Sequence, residues 1–485
     1  MRGIMIQGTS SDAGKSFVAA ALCRLLLQKG YRPVPFKPQN VSNNSYVTAD
    51  GKEIGRAQGL QAEAAGLEAS PFMNPILLKP SGNGSSEIVL FGERLEVMSG
   101  MAYRESYYER AVAAIQTGLK ETAKLGDTLV IEGAGSPVEM NLKKREVVNM
   151  KTAELADVPV LLIADIDRGG LFASVVGTLA LLEEVERKRV KGIIVNRFHG
   201  DPAHFEDGKR WLEEYTGVPV LAVLPFLPGH ALEGEDSLSI RDVRRDQADL
   251  DVAVIRLPYV SNGSDIEPFA FEEDVNVRWI QTEKAFGQPD AVIIPGTKST
   301  LADLHFLKQT GLAEKISTYA ENGGTVIGLC GGFQLMGNTL VDPDGSDTGI
   351  AGSIEKGLGL IPADTTFKKN KTIIRTKGMA SGIPLSGYEI HFGQTIVNGT
   401  PFLTDGDHRD GYRSRDGRIC GTYLHHLFYN DLFRADWLNR IRRAKGLEER
   451  LPAALNRNGT YDAIAAHVEK HLDWPVFEAV LERQR

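Results

Sequence analysis

Apolar and polar positions along the first part of the chain alternate between two periods. Short, mostly β-branched runs at Gly3 to Gly8, Pro33 to Lys37, Thr128 to Glu132, Val158 to Asp167, Val190 to Asn196 and Val218 to Leu224 are separated by longer stretches with helical spacing. Runs this apolar predict strands buried on both faces, and their alternation with helices predicts βαβ units around a parallel sheet. Between Gly229 and Leu250 the pattern lapses into GHALEGEDSLSIRDVRRDQADL, a charged stretch with no consistently apolar face. A second series then starts, with DVAVIRLPYV from Asp251, DAVIIPGT from Asp290, GTVIGLCGG from Gly324 and RICGTYLHHLF from Arg418. The expected fold is α/β with two doubly wound units: 1–235, a linker 236–250, a second unit 251–440, and a helical extension 441–485 packed on that second unit.

Composition narrows the class. With 485 residues and 42% hydrophobic content, the chain is too long for one ordinary core. No apolar run is long enough to span a bilayer, and MRGIMIQGTSSDAGKS reaches a polar loop after a few apolar residues, so neither export nor a membrane partner is expected. Cys23, Cys330 and Cys420 are too few and too scattered for a disulfide framework or a zinc cluster, which predicts a cytoplasmic protein. A formal net charge of −8 weighs against a nucleic-acid partner. Self-association into a homo-oligomer is left open.

The first candidate chemistry is GTSSDAGKS, Gly8 to Ser16, which follows a strand and opens the helical run FVAAALCRLLLQKG. In that context glycines let backbone N–H groups point at phosphate oxygens, so Gly8, Thr9, Asp12, Ala13, Gly14, Lys15 and Ser16 are candidate ATP contacts. Lys15 would neutralise the β/γ-phosphates and the Ser16 hydroxyl would hold Mg²⁺. Lys37 in FKPQN and Glu132 in IEGAGSP end strands on the edge where ligands bind, the first towards phosphate and the second towards the metal. Asp50 in TADG is a further metal candidate, and an ordinary Asp-Gly turn is the alternative. Asp165, Asp167 and Arg168 in ADIDRGG face the same edge, either towards a ligand or as a salt-bridged cluster.

The second candidate is TVIGLCGGFQLMG, which places Cys330 at a strand tip among glycines and before a helical run, the pattern of a nucleophile elbow. The Gly331 N–H is placed to stabilise an oxyanion, and a helix start favours the thiolate. GTYLHHLF offers His425 and His426 as bases after another strand-like run. IPGTKST supplies Gly296 as a second oxyanion or glutamine contact, or is an ordinary turn. His391 in GYEIHFG touches substrate or fills a polar niche. The basic run LKKRE, Leu142 to Glu146, meets anionic substrate or is a solvated face.

Five residues, rather than the usual four, separate Gly8 from Gly14, and this spacing resembles the dethiobiotin synthetase-like branch of phosphate-loop proteins. QGTSSDAGKS, FKPQNVSNNS, GRAQGLQAEAA, MNPILLKPSGNGSSE, IEGAGSPVEMNL, ADIDRGGLFAS, IIVNRFHGD, PGTKST, GLCGGFQLMG, GYEIHFG and GTYLHHLF together resemble the cobyric acid synthase family, in family order. That resemblance implies ATP with Mg²⁺, glutamine as nitrogen donor, and amidation of the b, d, e and g carboxylates of adenosylcobyrinic acid a,c-diamide. It further implies an adenine contact for Asn196 in VNRF and the role of catalytic histidine for His425. Class I glutaminases often carry a glutamate two residues beyond that histidine; Leu427 stands there, so the chain resembles the branch that works with a Cys–His dyad, the ring being oriented by another group or by water. The sister reading is a cobyrinic acid a,c-diamide synthase or another glutamine-dependent ligase. A reading of another class is a phosphate-loop switch ATPase with a non-catalytic glutaminase-like half, against which Cys330 and His425 both speak.

Overall fold

The computed structural model describes residues 1–80, 85–99, 107–227 and 242–482. Six parallel strands form the first sheet, in the order Val220–Pro225, Val190–Phe198, Val160–Asp165, Arg2–Gly8, Thr128–Glu132 and Pro33–Phe36. These are the strands that the apolar runs predict, and they are buried on both faces because helices cover each side. Later strands add on opposite sides of Arg2–Gly8, so a crevice opens at the carboxyl end of that central strand.

Residues 39–99 depart from the doubly wound pattern. A small sheet of Gln39–Val41, Ile76–Pro80, Ser85–Leu90 and Glu93–Ser99 stands beside a hairpin of Ser45–Val47 with Glu53–Gly55 and the helix Arg56–Ala64. Several of these strands are only three residues long and carry polar side chains, so no period-2 signal marks them.

The second sheet runs Val275–Ile280, Leu250–Ile255, Ala291–Ile294, Thr325–Leu329, Ile419–Thr422 and Tyr412–Arg413, parallel except for the last strand. A further sheet is built on the long hairpin Ala363–Ala380 with Ile383–Val397. This hairpin reaches the first half of the chain: Arg375 Nε donates to the Val47 carbonyl at 3.0 Å, and Lys371 Nζ to Glu53 at 2.6 Å. Of the expected linker, residues 236–241 lie outside the described residues, and Val243 already pairs with Val277.

The end of the chain corrects an expectation. The helix Asp431–Ala444 stays on the second sheet through Phe433, Trp437 and Leu438. Beyond it the chain returns to the first half, where Arg457–His471 and Trp474–Glu482 place Tyr461, Ile464, Val468, Phe477 and Leu481 in one apolar cluster with the helix Lys15–Gln28. That helix is apolar on more than one face (Leu22, Cys23, Leu25 and Leu26 are all fully buried), so the sheet alone does not bury it. The terminal helices cover the rest, and Arg24 pairs with Asp462 at 2.7 Å at the margin. No helix among the described residues is long and apolar enough to cross a membrane.

Candidate active site

Gly8 ends the central strand, and the loop that follows turns over the sheet edge before the helix begins at Lys15. Asp12 and Gly14 lie in the left-handed region, with φ of 57° and 100°. A Cβ on Gly14 would fall 2.0 Å from Asn196 Nδ2, so only glycine leaves room for that amide, which donates to the Ala13 carbonyl at 2.9 Å. Asn196 thus braces the loop from the strand Val190–Phe198, two places along the sheet. The Thr9 N–H donates to Ile163 at 2.9 Å and ties the loop to the sheet. Lys15 Nζ donates to the carbonyls of Ser10 and Gly135, at 3.0 and 3.2 Å.

Glu132 gathers the rest of this centre. Its Oε1 accepts from Ser16 Oγ at 2.7 Å and from Lys37 Nζ at 3.0 Å, while Oε2 accepts from Gln61 Nε2 at 2.6 Å. Burial pushes the Glu132 carboxyl up, but Lys37 and the hydroxyl and amide donors outweigh it and hold it below the usual carboxylate range. Lys15, Ser16, Lys37, Glu132 and Asn196 therefore converge. Gln61, in GRAQGLQ, was not singled out as a contact, because a helical glutamine carries no local signature. Asp50 stands apart on the exposed turn of the Ser45–Gly55 hairpin, where it accepts the Thr48 hydroxyl and its neighbour Gly51 lies against Ile373.

The flanking candidates have partners within the chain. Asp165 is ion-paired with Arg197 at 2.7 Å, Asp167 is hydrogen-bonded with His199 at 2.8 Å, and Arg168 approaches Asp12 at 3.5 Å. Lys143 of the basic run pairs with Glu186 at 2.6 Å.

The second centre is built around a strained cysteine. Cys330 ends the strand Thr325–Leu329 with φ 48° and ψ −107°, a conformation that a side chain-bearing residue holds only when its surroundings impose it. They do: a Cβ on Gly332 would fall 2.0 Å from the Ile294 carbonyl, so the turn fits against the adjacent strand only with glycine there. The helix that follows, Gly331–Leu335, has five residues, so local N–H groups rather than a long macrodipole supply positive potential. A Cβ on Gly331 would meet Thr297 at 2.5 Å, and one on Gly296 would lie 3.1 Å from His425 Cε1 and 3.8 Å from Cys330 Cβ. The Gly296 loop therefore closes directly over thiol and imidazole.

His425 hydrogen-bonds Cys330, and its Nδ1 lies 2.7 Å from Asp265 Oδ2. Asp265 Oδ1 accepts the His426 N–H at 2.8 Å, and both Asp265 and His425 are almost fully buried. The group beside the ring, which the sequence left open, is Asp265, 160 positions upstream of the histidine instead of two beyond it. Burial alone would lower the His425 pKa, but Asp265 and Cys330 outweigh it and bring it to about 10. His426 turns away, touching Arg56 of the first half; burial and the Arg56 and Arg457 charges keep it neutral. His391 stacks on Tyr423 at 3.6 Å and lines the cavity that opens on Cys330.

Comparison with known proteins sets this geometry in a family. Residues 4–238 match the CobQ/CobB/MinD/ParA nucleotide binding domain, and residues 251–433 match the CobB/CobQ-like glutamine amidotransferase domain. Cobyric acid synthase of Geobacillus thermodenitrificans is 47% identical over 481 residues, covering 97% of this chain and 96% of the relative. The chain belongs to the cobyric acid synthase family. The cobyric acid synthase of Synechocystis sp. is 42% identical over 497 residues and is covered, like this chain, to 99%. Within the cobyric acid synthase frame, Cys330, His425 and Asp265 fall in the amidotransferase part and Lys15, Ser16 and Glu132 in the nucleotide-binding part.

Proposed function

We propose that this protein is a glutamine-hydrolysing carbon–nitrogen ligase of the cytoplasm that uses ATP to amidate the b, d, e and g carboxylates of adenosylcobyrinic acid a,c-diamide. The observation that carries the reading is identity of 42–47% with cobyric acid synthases across nearly the whole chain. The two centres give it a chemical logic. A carboxylate is a poor acyl donor until its oxygen becomes a leaving group, so its oxygen attacks the ATP γ-phosphorus and ADP departs, leaving an acyl phosphate. Lys15 and Lys37 offset charge on the transferring phosphate. Ser16 and Glu132, a hydroxyl and a buried carboxylate, suit a hard cation, and Mg²⁺ there would supply charge neutralisation. Among the described residues no group of three His, Cys, Asp or Glu side chains is placed to hold a metal, as fits an ion that takes most ligands from phosphate and water.

At the other centre the Cys330 thiolate attacks the glutamine amide carbon, the N–H groups near Gly331 and Gly296 receive the oxyanion, and His425 protonates the departing ammonia. Water, deprotonated by His425, then releases glutamate from the thioester. Ammonia attacks the acyl phosphate, forms the amide and expels phosphate. Purified protein supplied with glutamine, ATP and a panel of corrinoid acids is expected to add four nitrogens to the a,c-diamide, read by product mass; addition at only the a and c positions of the unamidated acid would favour the sister synthase.

A further inference from the structure

The cavity that opens on Cys330 is walled partly by the other half of the chain. Lys298 and Lys371 of the second half meet Lys79 of the first along its lining. Behind them two buried carboxylates, Glu53 and Glu87, also belong to the first half: Glu53 accepts from Lys79 and Lys371, Glu87 from Lys371 at 2.9 Å and from Lys298. Three ammonium groups thus face these two carboxylates in a region almost closed to water, and Arg94 lies 3.9 Å from Glu87 at its margin. Asp347, a third acid on the wall, accepts from the N–H groups of Thr300 and Leu301 that open the helix Thr300–Gln309, so four cations stand against three carboxylates, an excess of one positive charge.

Donors are also in surplus. An ammonium offers three N–H bonds. Among the described residues, Lys298 uses one, on Glu87, and Lys79 uses two, on Glu53 and on Ser45 Oγ at 2.7 Å. An excess cation with spare donors, in the pocket that receives an amide at Cys330, is matched by an anion on the same small molecule. Free glutamine carries such an anion, a few bonds from its amide.

We propose that Lys298 and Lys79 bind the α-carboxylate of the glutamine whose amide is presented to Cys330, so that both halves of the chain complete the donor site. This rests on Cys330 being the glutaminase nucleophile. It makes the enzyme selective for the free amino acid over glutamine whose α-carboxylate is masked, and makes donor binding dependent on the seating of the first half.

The test uses full-length enzyme and compares ammonia release from glutamine and from its α-carboxamide. For the unmodified enzyme kcat/KM is expected to favour glutamine by about ten-fold or more, the weight of one charge-assisted hydrogen bond. Lys298→Met is expected to raise the glutamine KM about ten-fold with kcat little changed, and to erase most of that preference; Lys79→Met should act in the same direction. Synthesis from free ammonia reports whether each variant folds. Equal use of both donors by the unmodified enzyme would overturn the assignment without recourse to any variant, as would a Lys298→Met enzyme that keeps the preference. Failure of the unmodified enzyme to hydrolyse either donor, or hydrolysis surviving Cys330→Ser, would instead sink the reading of Cys330.

Discussion

Cys330, His425 and Asp265 form a relay in which each member fixes the next. Asp265 holds the imidazole by Nδ1, leaving Nε2 to exchange a proton with the thiol. Asp265→Asn should cut kcat for glutamine hydrolysis about a hundred-fold or more, since the ring loses both its orientation and the anion that stabilises its charged form. Because Asp265 raises the His425 pKa, the same variant should move the alkaline limb of the pH–rate profile to lower pH. Stability follows the same sign: a folded pKa of about 10 exceeds the ordinary 6.5, so the pair stabilises the fold fully below about pH 6.5, and this fades as pH rises through about 10. Cys330→Ser should abolish glutamine use while amidation from concentrated ammonia persists. Lys15→Ala should remove synthesis with either nitrogen source, measured as ADP release, and normal ammonia-dependent synthesis in that variant would refute the phosphate-loop assignment. Cys330, His425 and Lys15 could be singled out as candidates in the sequence because each sits in a short motif whose local geometry dictates residue type, and the structure brings Cys330 and His425 together. Asp265 could not be, because GSDIEPF has the look of any loop and its partner is brought to it only by tertiary packing.

Among elements, the segment 43–45 of the first half has weight because Asn262 and Tyr388 connect it to His425, the proposed glutaminase base. Asn262, left-handed at φ 53°, accepts the Ser45 N–H at 2.9 Å, which orients its amide so that Nδ2 lies 3.2 Å from His425 Nε2. Ser261 Oγ donates to the Asn43 carbonyl and Tyr388 OH to that of Ser45, at 3.0 Å each. The amide stands at the same ring nitrogen as the thiol, so the position of the 43–45 segment sets how freely Nε2 exchanges a proton with Cys330. Asn262→Ala is expected to raise glutamine hydrolysis in the absence of ATP and to push glutamate formed per amide above unity; a variant as tightly coupled as the parent would show that the contact only packs. The strands of the first sheet and the four inner strands of the second could be read from apolar runs, since burial on two faces leaves no room for polar residues, whereas the half-exposed edge strands Val275–Ile280 and Tyr412–Arg413 could not. The hairpin Ala363–Ala380 with Ile383–Val397 could not: its exposed edges carry Lys368, Lys369, Lys377 and other polar positions, and it is ordered by contact with the first half as much as by its own pattern.

In the whole molecule, the return of the terminal helices to the first half has energetic weight. Tyr461, Ile464, Val468, Phe477 and Leu481 are buried there, and full burial of such side chains is worth about 1.5–3 kcal/mol each. A chain ending near residue 452 should therefore lose about 5 kcal/mol or more of stability in its first half and precipitate or melt early, as thermal unfolding would report. Helical periodicity announced these segments, but an apolar stripe does not name its partner, so their docking on the Lys15–Gln28 helix was not legible. The glutaminase half is consequently an insertion, entered after the first sheet is finished and left before its last cover is laid. Tethered on either side, it lies against the half that Lys371, Arg375 and Asn262 touch, so the nitrogen donor's site and the phosphate loop stay within one body of packed contacts.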